Sequence, residues 1–235
     1  MSADPSFPPL LTGEETGPGQ DPFSKAIAAA SLGTDAGLLC WSRREDQLVA
    51  AVVFAPEEPL ADAITVILAV ALGLGDALGA LAPPEVAVHY VWPGGFRVNG
   101  AQCGSIRAAA STREPDQIPD WLVAGITIPY RVDEDEPGRT PEQTALVEEG
   151  CADVTSMRLL ESWSRHMLTW VNRREHDGLA PLHAEWRSRA WGMGEELPSQ
   201  DRFAPGLFMG LDERAGMLIK DAAATRLYPL TEILE

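Results

Sequence analysis

Between positions 89 and 107 the chain carries His89, Arg97, Asn99, Cys103, Ser105 and Arg107, which place an imidazole, two guanidinium groups and a thiol close together in sequence. An arginine presents a planar fork of donors that matches a carboxylate or a phosphate. In an extended segment alternate residues share a face, so Arg97 points the same way as Gly95 and Asn99. On a pocket wall Arg97 would bind an anion in bidentate fashion; its other reading is a solvated arginine opposite a buried Val98. Cys103 is a nucleophile only as a thiolate, which requires a neighbouring base or cation. His89 supplies that base if its strand lies alongside, and otherwise Cys103 is a small side chain packed behind a sheet.

Other candidate motifs lack their context. Gly73, Gly75 and Gly79 have the look of a dinucleotide loop, but they continue a helical apolar run instead of following a strand. His183-Ala184-Glu185 resembles half of a zinc-deaminase motif, with no Pro-Cys-x-x-Cys after it. The cysteines Cys40, Cys103 and Cys151 are odd in number and widely spaced, which fits free thiols in the cytoplasm and no zinc site. A formal charge of −17 argues against nucleic acid, whose binding draws on Lys and Arg neutralising phosphates. Only Lys25 and Lys220 carry an ammonium on a side chain, and Lys25 reads as a solvated residue of a first helix. The uncharged run from Ala63 to Gly75 is short of the ~20 residues that span a bilayer, so it reads as a buried helix and no membrane is expected.

The elements that must position these groups follow from periodicity. Residues 1–20, rich in Pro and Gly, read as a mobile or loosely docked arm. Asp21-Pro22-Phe23 is a helix start and Gly33 its end. Leu38 to Trp41 and Leu48 to Phe54 predict two strands joined by the charged turn Ser42 to Gln47, and Pro59 to Leu81 predicts one helix, apolar nearly all round. Val86 to Val91 and Phe96 to Asn99 predict strands around Pro93-Gly94-Gly95. Arg131 to Glu142 reads as a surface loop, and Thr155 or Ser156 as the cap of a helix running to Asp177, closed by Gly178. The domains expected are 21–197 and a small β domain at 203–235, with the boundary between Gly194 and Gly206.

Trp92-Pro93, Val98-Asn99-Gly100 and the small pair Gly104-Ser105 resemble the active-site hairpin of the biotin/lipoate protein ligases. Pro119 to Ile128 resembles that family's next strand, Thr144-Ala145-Leu146 with Leu159-Leu160 the entry to its long helix, and Gly178 to Arg187 the segment after it. Gly206 to Glu213 with Gly216 to Ile219 is similar to the small β domain of biotin ligases. The resemblance implies an α+β fold: a mixed, largely antiparallel sheet with helices mainly on one face, plus a small C-terminal β domain. It implies binding of a small carboxylic acid, biotin or lipoate, activation by ATP with Mg to an acyl-adenylate, and transfer to a lysine of a carrier protein. It places the ligand slot at Trp92, Arg97, Asn99, Gly100, Cys103, Gly104, Ser105 and Arg107, with phosphate contacts from Arg43 and Arg44. Lipoyl-transfer relatives that hold a thioester give Cys103 a second use, and relatives that pair through sheet edges make a homodimer an expectation.

The chain departs from the family where the chemistry needs cations. The lysine of the biotin branch falls at Val91, that of the lipoate branch near Gln102, and the Asn-Asp pair after Trp-Pro has become Gly94-Gly95. No catalytic residue is assigned. Two functions remain open: a divergent ligase, or a catalytically inactive binding or interaction protein of ligase fold.

Overall fold

A computed structural model describes residues 4–131, 142–200 and 202–235. The main sheet has seven strands: β1 (Thr12–Glu15), β2 (Leu38–Trp41), β3 (Gln47–Phe54), β4 (Val88–Val91), β5 (Gly95–Val98), β6 (Ala101–Ala110) and β7 (Leu122–Pro129). Their spatial order is β1-β2-β3-β7-β6-β5-β4, with β1 parallel to β2 and the other neighbours antiparallel. β3 is apolar along its length because both faces are covered. Leu48, Ala50 and Val52 enter the main core, while Ala51 and Val53 enter a smaller one with Phe23, Ala26 and Ala30 of helix α1 (Pro22–Ser31).

Asp21 caps α1 by accepting from the amides of Phe23 and Ser24, and Pro22 fills the first turn, where its missing N–H costs nothing. The opposite face carries α2 (Leu60–Ala63), α3 (Val66–Leu81), α4 (Ser156–Asp177) and α5 (Ala180–Ser188), so helices lie mainly on one face, as expected. The helix expected over Pro59 to Leu81 is broken at Ile64-Thr65. The Thr65 hydroxyl donates back to the Asp62 carbonyl and accepts from Arg174, which diverts the turn. Among the described residues one helical stretch, Leu60–Leu81, has the length and apolarity of a membrane span; it is largely buried inside the protein, which accounts for its composition. α3 and α4 approach closely: a Cβ added at Gly73 would lie 2.6 Å from the Met167 backbone.

A second antiparallel sheet, ordered β11-β10-β9-β8, comprises β8 (Glu196–Leu197), β9 (Gly206–Leu211), β10 (Met217–Lys220) and β11 (Thr225–Tyr228). Its Phe208, Met217 and Ile219 join the main core, and Trp92 ties the two sheets by donating to the Ala215 carbonyl at 3.0 Å.

Within the segment read as a mobile or loosely docked arm, Phe7 and the stretch from Leu11 to Glu15 are docked. Thr12 to Glu15 pair with Leu38 to Trp41, Leu11 is buried and Phe7 packs on the main core. The four β1 residues are all exposed, so this strand is held by its backbone and leaves no apolar period in the sequence. All but the end residues of the loop expected at Arg131 to Glu142 lie outside the described residues.

Candidate functional site

Residues directly opposite on antiparallel strands share a face of the sheet. Val49 opposes Thr127, Thr127 opposes Ser105, Ser105 opposes Gly95 and Gly95 opposes Val91, which draws one row across five strands. All five are half-buried. In the next row Ala51, Gly125 and Arg107 are opposed, and here α1 covers the sheet. A Cβ at Gly125 would fall 2.7 Å from the Phe23 ring, so only glycine admits that ring against the strand. α1 begins there, so beyond its N-terminus the row from Val49 to Val91 is left half-buried, a groove that α1 does not cover.

At the Val49 end of the row lies a cleft of about 480 Å³, lined by the 15–22 turn, Ser42, Arg43, Arg44, Gln47, Val49 and Thr127, and not by Ser105, Gly95 or Val91. That size suits a small organic ligand. Thr16 and Ser42 line it, each only 7% exposed, and their hydroxyls make no hydrogen bond among the described residues. A buried hydroxyl without a partner costs about 1–3 kcal/mol, so such groups call for an explanation.

Of the cations around the groove, Arg43, Arg44, Lys25 and Arg107 are engaged by acids, while Arg97 lies against the Trp191 ring. Arg43 pairs with Glu15 and Asp4, both at 2.9 Å, and Arg44 with Asp46 at 2.6 Å. Lys25 pairs with Glu14 at 2.7 Å. Arg107 is held by Glu235 at 2.9 Å and by Asp21 at 3.0 Å. Burial alone would push the Asp21 carboxyl up, but hydrogen bonds from Ser24, Arg107 and the Phe23 amide together hold it below the usual carboxylate range.

The residues expected to form the slot scatter. Arg43 and Arg44 line the cleft. Ser105 lies on the groove floor, and Arg107 sits one row in. Arg97 is on the groove face beyond Gly95, opposite His89; its guanidinium stacks 4.6 Å from the Trp191 ring and donates to the Gly100 carbonyl. The remaining five face elsewhere. Asn99 and Gly100, with φ of 49° and 92°, form the two-residue turn between β5 and β6. The Asn99 side chain is spent on the Ala87 amide and Glu149. Gly104 is a bulge at φ 108°, where a Cβ would meet the Thr127 carbonyl at 2.4 Å.

Trp92 and Cys103 point into the main core. Burial pushes the Cys103 thiol up to about 12, and its nearest charged influences are acids that raise it further. His89 lies on the groove face, so it is no base for this thiol. Reasoning from sequence missed Thr16 and Ser42, since lone hydroxyl residues in a turn carry no spacing signal. It also missed Glu235, which reaches Arg107 from 128 positions away.

A family model described as "Biotin/lipoate A/B protein ligase family" matches residues 7–188, and a domain of unknown function, DUF4444, matches residues 193–235. No curated protein matches the sequence. Among solved structures, a biotin protein ligase-like protein of unknown function from Silicibacter sp. is 52% identical, with a TM-score of 0.92 over 98% of this chain and 99% of that one. The biotin protein ligase of Aquifex aeolicus, solved in complex with biotin and ATP, is 16% identical, with a TM-score of 0.71 over 93% of this chain and 94% of that one. The biotin acetyl coenzyme A carboxylase synthetase of Helicobacter pylori, with bound biotinylated ATP, is 10% identical, with a TM-score of 0.61 over 93% and 99%. The family model covers most of the chain, and the chain belongs to the biotin/lipoate A/B protein ligase family.

Proposed function

We propose that the groove binds a small carboxylic acid of the biotin or lipoate kind, or its acyl-adenylate. The observation that carries this reading is the pair of buried, unpartnered hydroxyls of Thr16 and Ser42 in a cleft of ligand size. A polar ligand atom there would remove a desolvation cost that the protein otherwise bears. The fold match to a ligase solved with biotin and ATP supports the same ligand class.

The residues present do not fit a triphosphate. The cleft lining holds Arg43 and Arg44 against Glu15 and Asp21, each arginine is already paired with an acid, and Val91 stands where the family has a lysine. A phosphoryl-transfer transition state needs fixed positive charge that is not already neutralised. This favours the second reading, a ligase fold that binds its acid without activating it through ATP. If a carrier protein is involved, it meets the bound acid and not a high-energy adenylate made here. The buried, unpaired cysteines suit a cytoplasmic protein.

The test is thermal stability with biotin, lipoate and octanoate, each with and without ATP and Mg, on wild type and Thr16→Val. One acid should raise the melting temperature with its concentration, by an amount equivalent to about 2.7 kcal/mol at a hundredfold excess over Kd, and ATP should add nothing. Thr16→Val should raise the melting temperature of the free protein, because it removes the unpaired hydroxyl at nearly constant volume. The same variant should weaken the acid at least fivefold, or about 1 kcal/mol. A flat panel at millimolar acid would end the acid-binding reading.

A further inference from the structure

Arg107 lies with its guanidinium carbon 4.3 Å from the centre of the Phe23 ring, so its N–H groups are directed outward around a fixed plane. Nε and one terminal nitrogen donate to the two carboxylate oxygens of Glu235, at 2.9 and 3.0 Å. The other terminal nitrogen donates to Asp21 at 3.0 Å. The Glu235 contact is the fork that an arginine offers to any carboxylate or phosphate. Asp21 is at once the cap of α1 and part of the cleft lining. Arg107 therefore stands at the seam between the cleft and the segment that delivers Glu235.

That segment is tied to the same strand. Leu234 bridges Ala108, and the Glu235 amide donates to the Ala108 carbonyl at 3.0 Å. The side chains of Arg107 and Glu235 remain 37% and 45% exposed, so the pair is in contact with water, where ion pairs are weak and exchangeable. The pairs of Arg43 and Arg44 are in contact with water too, but their acids sit differently. Glu15 belongs to the cleft's own wall and Asp46 to Arg44's own turn, so freeing either arginine opens no seam.

We infer that Arg107 is the oxyanion-binding residue of the groove and that Glu235 is an internal counter-ion which an anionic ligand must displace. The inference rests on the acid-binding reading and adds to it the residue that takes the charge and the group that competes for it. The oxyanion is the carboxylate of the free acid or the phosphate of a nucleotide ester, and the two sources are separated by their probes.

The experiment is calorimetric titration of the full chain with biotin, lipoate, octanoate, the primary amides of the same acids, and AMP. It compares wild type, Glu235→Gln, Arg107→Gln and the double variant. Glu235→Gln should bind one anionic probe about fivefold tighter, the scale of an exposed ion pair that no longer competes. Arg107→Gln and the double variant should both bind weakly and alike, and the amides should show no gain. A gain confined to an acid assigns the carboxylate, and one confined to AMP assigns the phosphate.

Hydrogen exchange in the 230–235 peptide of wild type should quicken at saturating ligand as Glu235 is released, which tests displacement without any variant. An acid that binds wild type but binds Glu235→Gln no tighter, or leaves the peptide's exchange unchanged, overturns the counter-ion role while the acid-binding reading stands. No binding by wild type or Glu235→Gln at millimolar probe overturns both.

Discussion

Val91→Lys should add an ammonium at the end of the groove away from the cleft. Val91 opposes Gly95, which opposes Ser105, and neither the glycine nor the small serine obstructs the floor between them. Adjacent strands are about 4.8 Å apart, so Ser105 lies about 10 Å from Val91 across the sheet. A lysine side chain reaches about 6 Å and would set its ammonium above Gly95, roughly 5 Å from a carboxylate resting over Ser105. Coulomb's law at that distance gives about 0.8 kcal/mol at a dielectric of 80 and about 3 kcal/mol at 20. Val91 is half-buried, so about 1–2 kcal/mol is the working figure, or a Kd roughly 5 to 30 times lower.

The assay is calorimetric titration of the acid and of its uncharged amide at two salt concentrations. The gain should appear for the acid, be absent for the amide, and shrink with salt, because screening acts over about 10 Å at 0.1 M. Equal gains for acid and amide, or an acid affinity within twofold of wild type, would show that the ligand's charge does not lie over the Ser105–Gly95 floor. The groove as drawn would then be wrong.

Two further outcomes follow from packing and burial. Gly73→Ala forces a methyl to 2.6 Å from the Met167 backbone, so α3 and α4 must part. Overpacking of this kind costs about 1–3 kcal/mol, which for a chain of this size is about 2–4 °C of melting temperature per kcal/mol; an unchanged melting temperature would refute the close approach. Burial pushes the Cys40 thiol up to about 11 and the Cys103 thiol up to about 12. The folded state therefore keeps protons that the unfolded chain releases above about pH 9. Stability from this source is fully present below pH 9 and is lost as pH climbs toward the folded values, by up to about 1.4 kcal/mol per pH unit for each thiol. Urea midpoints at pH 8, 9 and 10 should fall accordingly, and a flat series would contradict the burial of these thiols.

What the sequence disclosed was local. Asp21-Pro22 announces a helix because cap and first-turn chemistry act within three residues, and the hairpin around Trp92-Pro93 is legible because turn glycines and alternation do. The face of Cys103 was not legible. Gly104 at φ 108° inserts a bulge, so alternation counted from Ser105 assigns Cys103 to the groove when it lies in the core. Asn99 shows the same limit, since a residue in a two-residue turn leaves the alternation that would put it beside Arg97. β1 was missed because backbone pairing needs no apolar side chains. The groove's electrostatics were out of reach altogether, because Arg43 meets Glu15 across 28 positions and Arg107 meets Glu235 across 128, and such pairs have no spacing to read.

Those pairings decide how an anion could be held. A ligand carboxylate that merely approached a paired arginine would meet a local charge near zero and gain little, so binding must proceed by exchange with an acid already in place. The cost of exchange depends on how well water receives the acid that leaves. Asp21 is a poor leaving partner: its side chain is 36% exposed, and it would surrender the cap of α1 with the pair. Glu15 sits in the cleft wall beside its own strand. Asp4 is 90% exposed, but its loss leaves Arg43 still bound to Glu15 through two bonds. Asp46 is 58% exposed and holds the Arg44 fork alone, but it belongs to Arg44's own turn. Glu235 is 45% exposed and holds the Arg107 fork, and its displacement frees that fork's two donors while Arg107 stays bound to Asp21 and the cap of α1 is kept. On the proposed reading, the charge that receives the acid is that of Arg107, held against a carboxylate that a better one can replace.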